Sequence, residues 1–203
     1  FKQPAVVVMD PTVLSTPPAE EMRSGLAEVI KHALLGDPTL FDELSSETLS
    51  SSWWEEGGAA RIARALRVKI AVVEEDAFEQ GHRAVLNLGH TVGHALEQLS
   101  GFVLRHGEAV SIGMVAEAHI AGELGRADPA LACRVEAALA NWGLPVRCPP
   151  FEAGAIWEAI VYDKKRRGRS LRWALPRTVG QAEVVSGVPA AAVLRVLRTI
   201  GAR

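Results

Sequence analysis

A mainly α-helical domain with a few short strands is predicted by three features of the sequence. Apolar residues recur at helical spacing along most of its length, and the breaks between those stretches fall at Gly-Asp-Pro, single Gly or Gly-Leu-Pro. Strand-like alternation is confined to brief segments. Composition agrees with a packed globular chain: 203 residues, 48% hydrophobic and 23% charged, are enough to bury a core and too apolar for disorder. Lys and Arg number 22 against 24 Asp and Glu, a net charge of -2, so neither nucleic acid nor a membrane surface is an expected partner. No apolar run approaches the roughly 18 residues of a membrane-spanning helix.

Pro4–Met9 is rich in valine and predicts a short strand ending at Asp10-Pro11. Thr16, followed by Pro17-Pro18 and Glu20-Glu21, is a helix start, with a capping hydroxyl, proline in the first turn and acids at the positive end of the dipole. That helix runs to about Leu35, with Met22, Leu26, Val29, Ile30, Ala33 and Leu34 at its apolar positions, and stops at Gly36-Asp37-Pro38. Ser45–Ser52 is a polar connector. A long helix follows over Trp53–Glu75, with Ile62, Leu66, Ile70 and Val73 on one face. Further helices are predicted at Asn87–Leu99, His106–Leu124, Pro129–Trp142 and Phe151–Tyr162. Asp163–Ser170 is a charged loop, Leu171–Leu175 and Ala182–Val185 form a hairpin around Gly180, and Pro189–Ile200 is a closing helix. Cys133 and Cys148 have no partners at metal-ligand spacing and are expected as small apolar fillers in a reducing, cytoplasmic setting. The opening Phe1-Lys2-Gln3-Pro4 carries no secretory pattern, and a chain that starts inside a strand without an initiator Met is expected to be the back part of something longer.

The densest chemical signal is Leu86-Asn87-Leu88-Gly89-His90-Thr91-Val92-Gly93-His94-Ala95-Leu96-Glu97. On a helix, His90 and His94 lie about 40° apart on one face, where two imidazoles can share a metal. The zinc-protease motif needs Glu after its first His, and Thr91 stands there instead. Gly89 and Gly93 each cost roughly 1 kcal/mol in a helix interior, and their smallness lets a neighbouring segment or ligand approach closely. A hairpin between Leu99 and Arg105 folds His106 back beside His90, giving two of the three or so protein ligands of a catalytic zinc. Glu28, an acid among Leu26, Ala27, Val29 and Ile30 with Lys31 one turn on, is the candidate carboxylate. A surface ion pair with Lys31 is the alternative reading, and a cation would relieve the cost of burying the acid. Lys31, Lys69, Arg83, Lys164 and Lys165 together suit a substrate carrying more than one negative charge.

Gly25-Leu-Ala-Glu-Val-Ile-Lys31, the segment Leu86–Glu97 and His106-Gly-Glu-Ala-Val-Ser-Ile-Gly-Met114 resemble the signature segments of 3-dehydroquinate synthase. So do the opening Phe1–Pro4 with Asp10, the spacing Lys69…Asp76…Gly81…Arg83, and Asp163-Lys-Lys165. The resemblance implies the helical C-terminal domain of a Rossmann-like-plus-α enzyme. Residues 1–16 are then the last strand and linker of an NAD-binding domain, and residues 17–203 a metal- and substrate-binding domain. It implies Glu28, His90 and His106 as ligands of a divalent metal, zinc or cobalt, with His94 facing the substrate phosphate. Lys31, Lys69 and His94 are implied in catalysis. Arg83, Asn87, His94 and one of Lys164 or Lys165 are implied in substrate binding, and Val13, Leu14, Ser15 and Thr16 in bordering NAD.

The implied reaction belongs to the shikimate pathway of aromatic amino acid biosynthesis. It is a phosphate-eliminating lyase step on a seven-carbon sugar acid phosphate, carried out by a cytoplasmic homodimer. Without the front half the chain is expected not to turn over alone. Departures from the family pattern are Thr16-Pro17-Pro18 for Thr-Leu-Pro, Ala77 for an acid, and His82 for an apolar residue. Alternatives are another sugar phosphate cyclase, whose carboxylate-free substrate has little use for Arg83, and a non-catalytic metal-binding remnant. A glycerol dehydrogenase-like enzyme is disfavoured, since it carries Asp at the Glu28 position and lacks the Gly-His-Thr-x-Gly-His-Ala run.

Overall fold

In the computed structural model of the chain, residues 5–48, 53, 57–78, 81–166 and 171–203 are described, the side chains of 163–166 excepted. The helices are α1 (Ala19–Gly36), α2 (Pro38–Ser45), α3 (Ala59–Glu75), α4 (His90–Leu99), α5 (His106–Glu123), α6 (Ala130–Asn141), α7 (Ala153–Arg166) and α8 (Ala190–Thr199). The strands β1 (Arg172–Thr178) and β2 (Gln181–Ser186) pair antiparallel between α7 and α8, with Trp173 opposite Val185.

α5 is the axis of the fold. Ala, Val, Ile, Met and Gly occupy nearly its whole circumference from Gly107 to Ala121, and a helix that is apolar all round must be enclosed by others. It packs against α1, α4, α6, α8 and β1. α1 buries Leu26, Ala27 and the run Val29–Leu35. α3 lies outside α1 and has a single fully buried residue, Ala65. Its Arg64 guanidinium reaches Asp37 at 2.9 Å and Glu43 at 2.7 Å, tying α3 to the α1–α2 corner. Among the described residues, no helix is long and apolar enough to cross a membrane.

The predicted helices and hairpin are present, and the differences have local causes. Residues 5–10 form no strand: among the described residues no neighbour offers them a hydrogen-bonding edge, and Val6–Met9 are exposed. Thr16 does not cap α1. Its hydroxyl donates to the Val13 carbonyl at 2.9 Å, closing a 3-10 turn over Pro11–Ser15, and α1 begins after Pro18. The connector expected from Ser45 is preceded by α2, whose first turn is capped by the Asp37 carboxylate accepting from Leu40 N–H. Residues 49–52 lie outside the described residues.

The long helix starts at Ala59 rather than Trp53, after Gly57 at φ +99°. Its expected core face is the half-open side, Ile70 being 46% exposed. Residues 163–166 continue α7 instead of forming a loop, and 167–170 lie outside the described residues. Cys148 is buried as expected, whereas Cys133 is exposed on α6 and fills no core space.

Gly89 is the most informative difference. The helix predicted from Asn87 is broken into a 3-10 turn, His82–Asn87, and α4, which starts at His90. Gly89 lies between them at φ +81°, a left-handed conformation glycine adopts without strain. It is therefore a corner, and its cost as a helix-interior glycine does not arise.

Candidate metal centre

Three helix segments deliver one side chain each. Glu28 sits in the middle of α1, His90 is the first residue of α4 and His106 the first of α5. The reversal between α4 and α5 turns at Gly101 and Phe102, both at φ +63°, and returns His106 beside His90 with ring centroids 5.2 Å apart.

Two close main-chain approaches set these starting points. Gly113 of α5 lies against the carbonyl of Gly89, where a β-carbon would overlap it. Gly107, next to His106, lies against the Ser24 carbonyl of α1 and donates its N–H to Ser24 Oγ at 3.0 Å. Ser24 is one turn before Glu28. Glu117, fully buried and four residues after Gly113, accepts from Gly89 N–H at 2.6 Å and Thr91 N–H at 3.2 Å. It thus satisfies two of the amides left without partners at the start of α4.

The resulting cluster has the geometry of a cation site. Glu28 Oε1 lies 3.5 Å from His90 Nε2 and 3.5 Å from His106 Nε2. Tetrahedral zinc with ligands at about 2.0–2.1 Å needs donor atoms about 3.3 Å apart, so these spacings fit it closely. Glu28 Oε1 is buried and has no hydrogen-bond partner among the described residues, while Oε2 is held by Lys31 Nζ at 2.7 Å. His90 Nδ1 faces the Leu88 carbonyl at 3.0 Å, and His106 Nδ1 faces Glu97 Oε1 at 3.2 Å, which turns both Nε2 atoms toward Glu28.

Electrostatics favour the same state. Burial, reinforced by the Lys31 ammonium, pushes the His90 imidazole down to about 4, so it is a neutral donor near pH 7. Burial opposes ionisation of Glu28, yet the neighbouring Lys31 holds its carboxyl below the ordinary value. Lys31 is itself lowered by burial, against the pull of Glu28.

The remaining predicted residues are distributed around this point. His94, one turn beyond His90, has its ring 5.3 Å from that of His90 and 6.3 Å from that of His106. It forms a second close triplet with Glu97 and His106. Among the described residues, the triplet containing Glu28 takes His90 and His106 and leaves out His94, so the pairing of His90 with His94 suggested by spacing is not the one the fold makes. Lys69 of α3 lines a cavity of about 420 Å³ with Glu28, His32, Ile62, Leu66 and Leu14.

Val13 faces an adjoining cavity of about 510 Å³, whereas the Ser15 and Thr16 hydroxyls turn back onto their own 3-10 turn. Arg83 is held at the entry to the His82–Asn87 turn, where Asp76 accepts from Gly81 N–H at 2.8 Å and Arg83 N–H at 3.0 Å. Its guanidinium donates to the Ala77 carbonyl at 2.9 Å, and Asn87 is exposed at the end of the turn. Lys164 and Lys165 belong to the last turn of α7, which packs on α4, and their side chains lie outside the described residues.

Glu97 and Glu117 are the residues that sequence reasoning missed. The signals were present: Glu97 follows His90 and His94 at the i, i+4, i+7 spacing of one helix face, and Glu117 is a lone acid in the apolar run of α5.

Fold and site together define a class: helical domains that gather a carboxylate and imidazoles with metal-ligand spacing beside a cleft. The chain belongs to the family described as 3-dehydroquinate synthase C-terminal, whose model matches residues 25–166. It is 40% identical over 205 residues to the 3-dehydroquinate synthase of Crocosphaera subtropica, covering 98% of this chain and 56% of that one. It is 42% identical over 193 residues to the enzyme of the same name from Synechocystis sp., covering 93% and 54%. The chain thus spans about half the length of these relatives.

Among solved structures it is similar to a 2-epi-5-epi-valiolone synthase from Streptomyces hygroscopicus with NAD+ and Zn2+ bound, at TM-score 0.81 and 27% identity, over 94% of this chain and 54% of that one. A 2-deoxy-scyllo-inosose synthase shares the fold at TM-score 0.75 and 23% identity, over 94% and 54%.

Proposed function

We propose that the chain is the metal- and substrate-binding portion of a 3-dehydroquinate synthase, a lyase converting 3-deoxy-D-arabino-heptulosonate 7-phosphate to 3-dehydroquinate and inorganic phosphate. The observation that carries this reading is the meeting of Glu28 Oε1 with His90 Nε2 and His106 Nε2 at 3.5 Å each. When bound, a zinc or cobalt ion held by these three residues supplies Lewis-acid polarisation of substrate hydroxyls, and NAD supplies the reversible hydride acceptor. NAD binding falls chiefly to sequence outside residues 1–203. Residues 1–16 belong to that cofactor-binding domain, and Val13, Leu14, Ser15 and Thr16 border the nicotinamide side of the cleft.

The chain's own side chains bind and orient. Lys31 keeps Glu28 ionised and offers its further N–H donors to a substrate oxygen. Lys69 presents an ammonium to the cavity that Glu28 also lines, where an anionic group of the substrate is stabilised. His94 binds the phosphate and takes up a proton at the ring nitrogen facing it. Arg83, on releasing the Ala77 carbonyl, supplies a planar fork for the carboxylate, with Asn87 and one of Lys164 or Lys165 as further contacts. Much of the catalytic effect is positioning. The full-length enzyme works as a cytoplasmic homodimer.

The test is to supply the protein with its cofactor-binding half, NAD, zinc and the heptulosonate phosphate. Phosphate release coupled to formation of 3-dehydroquinate is expected. A protein that binds both zinc and NAD yet releases no phosphate overturns the reading. The fold similarity to the valiolone synthase supports a second reading, a cyclase acting on a different sugar phosphate, for which Arg83→Ala would leave kcat/KM unchanged.

A further inference from the structure

We propose that Glu97 is a positioning residue for His106, holding that imidazole in the tautomer and orientation that present Nε2 to the cation. The proposal rests on the reading that Glu28, His90 and His106 hold a divalent metal. The two imidazoles are oriented by different devices. His90 is 16% exposed, and its Nδ1 is met by a main-chain carbonyl, that of Leu88, which no substitution removes. His106 stands at the first residue of α5 with its side chain 46% exposed, so packing does little to fix the ring. A half-turn about its outer torsion would put Cδ2 where Nδ1 stands and Cε1 where Nε2 stands, and imidazole torsions are broadly two-fold there.

What selects between the two orientations is Glu97, from the far end of α4, whose side chain is 16% exposed, with Oε1 3.2 Å from His106 Nδ1. An ionised carboxylate only accepts, so Nδ1 carries the proton and Nε2 keeps its lone pair, aimed at Glu28 Oε1 3.5 Å away. His94, Glu97 and His106 also form a close triplet in their own right. A neutral imidazole has one lone-pair nitrogen, so His106 cannot serve a cation there and one at Glu28 together.

The test uses the metal-free full chain, nitrogen-15 spectra of its histidines, and zinc titration against a chromophoric chelator. In the parent protein His106 is expected as the Nδ1–H tautomer, with one zinc bound. Glu97→Ala is expected to lose that tautomer preference and weaken zinc binding roughly 10- to 100-fold. Glu97→Gln keeps an acceptor oxygen and is expected to recover most of both. The cobalt-substituted Glu97→Ala protein keeps the parent's visible absorption pattern, since its ligands are unchanged.

An Nε2–H tautomer in the parent overturns the proposal whether or not any variant folds. So do zinc affinity in Glu97→Ala equal to the parent's, a Glu97→Gln protein as weak as Glu97→Ala, and a second zinc equivalent lost with Glu97. A His106→Ala protein that binds zinc like the parent overturns the underlying metal reading instead.

Discussion

Gly113 and Gly89 meet main chain to main chain, the first in the middle of α5 and the second at the corner that begins α4. A β-carbon at position 113 would overlap the Gly89 carbonyl oxygen, and the residue after Gly89 is His90. The spacing between two core helices is thereby converted directly into the position of a candidate metal ligand.

Gly113→Ala is therefore expected to destabilise by about 3 kcal/mol and to lower zinc affinity together with Tm, because main chain cannot move aside as a flexible side chain would. Gly154→Ala on α7 has open space around the new methyl and is expected to be neutral or stabilising by about 0.5–1 kcal/mol. Thermal melts of the two variants check the contrast. Equal Tm values for both would contradict the close approach.

Glu117→Ala leaves the Gly89 and Thr91 amides buried without their acceptor. A loss of about 2–4 kcal/mol is expected, with a rise in the zinc dissociation constant as the His90 corner loosens. Glu117→Gln retains one acceptor oxygen and should fall between the two. Urea midpoints and chelator competition measure both effects.

Glu28→Ala, His90→Ala and His106→Ala are each expected to lose bound zinc after dialysis. His94→Ala should retain about one equivalent while losing at least about 100-fold in kcat in the complete enzyme. Elemental analysis of the four proteins decides the assignment. Zinc retained by either His90→Ala or His106→Ala would remove its footing.

Acid sensitivity follows from the buried imidazoles. His32 and His90 ordinarily titrate near 6.5 and are pushed down to about 4 in the fold, in both cases chiefly by burial. Between those values the unfolded chain binds protons that the folded chain refuses, so stability rises with pH through this window and is lost as pH falls from about 6.5 to about 4. The lowered Glu28 carboxyl acts in the same direction at the acid end. The metal-free protein should lose about 3–4 kcal/mol between pH 7 and pH 5, nearly half of it from each ring, read from urea midpoints. Unchanged midpoints would show that the two rings are not held neutral.

The helices were legible because apolar residues such as Leu26, Ile30, Ala33 and Leu34 recur with the helical period, and the hairpin because Gly180 separates two short apolar runs. The start of α4 was not. Asn87 and Leu88 suit a helix locally, and it takes Gly113 and Glu117, over twenty residues away, to hold Gly89 in its left-handed corner. The strand expected from Val6–Val8 was a local preference without a partner. At the site, spacing alone put His90 with His94 as readily as with His106, because four residues on one helix face look like a shared ligand pair. Choosing between them needs the α4–α5 reversal and the position of Glu28 on a third helix. Neither is encoded within reach of the motif.

The single buried residue of α3 has a mechanical corollary. Beyond Ala65, only half-buried apolar residues such as Ile62, Val68 and Val72 seat α3 on the core, so the Arg64 pairs with Asp37 and Glu43 carry part of its attachment. Such pairs weaken as ionic strength rises, whereas the α1–α4–α5 contacts do not. Amide protons of α3 should therefore exchange fastest among the long helices, and faster still in salt. The wall that carries Lys69 is thus the side of the cleft whose seating should respond most to salt, while the α1–α4–α5 frame beneath Glu28 stays as it is.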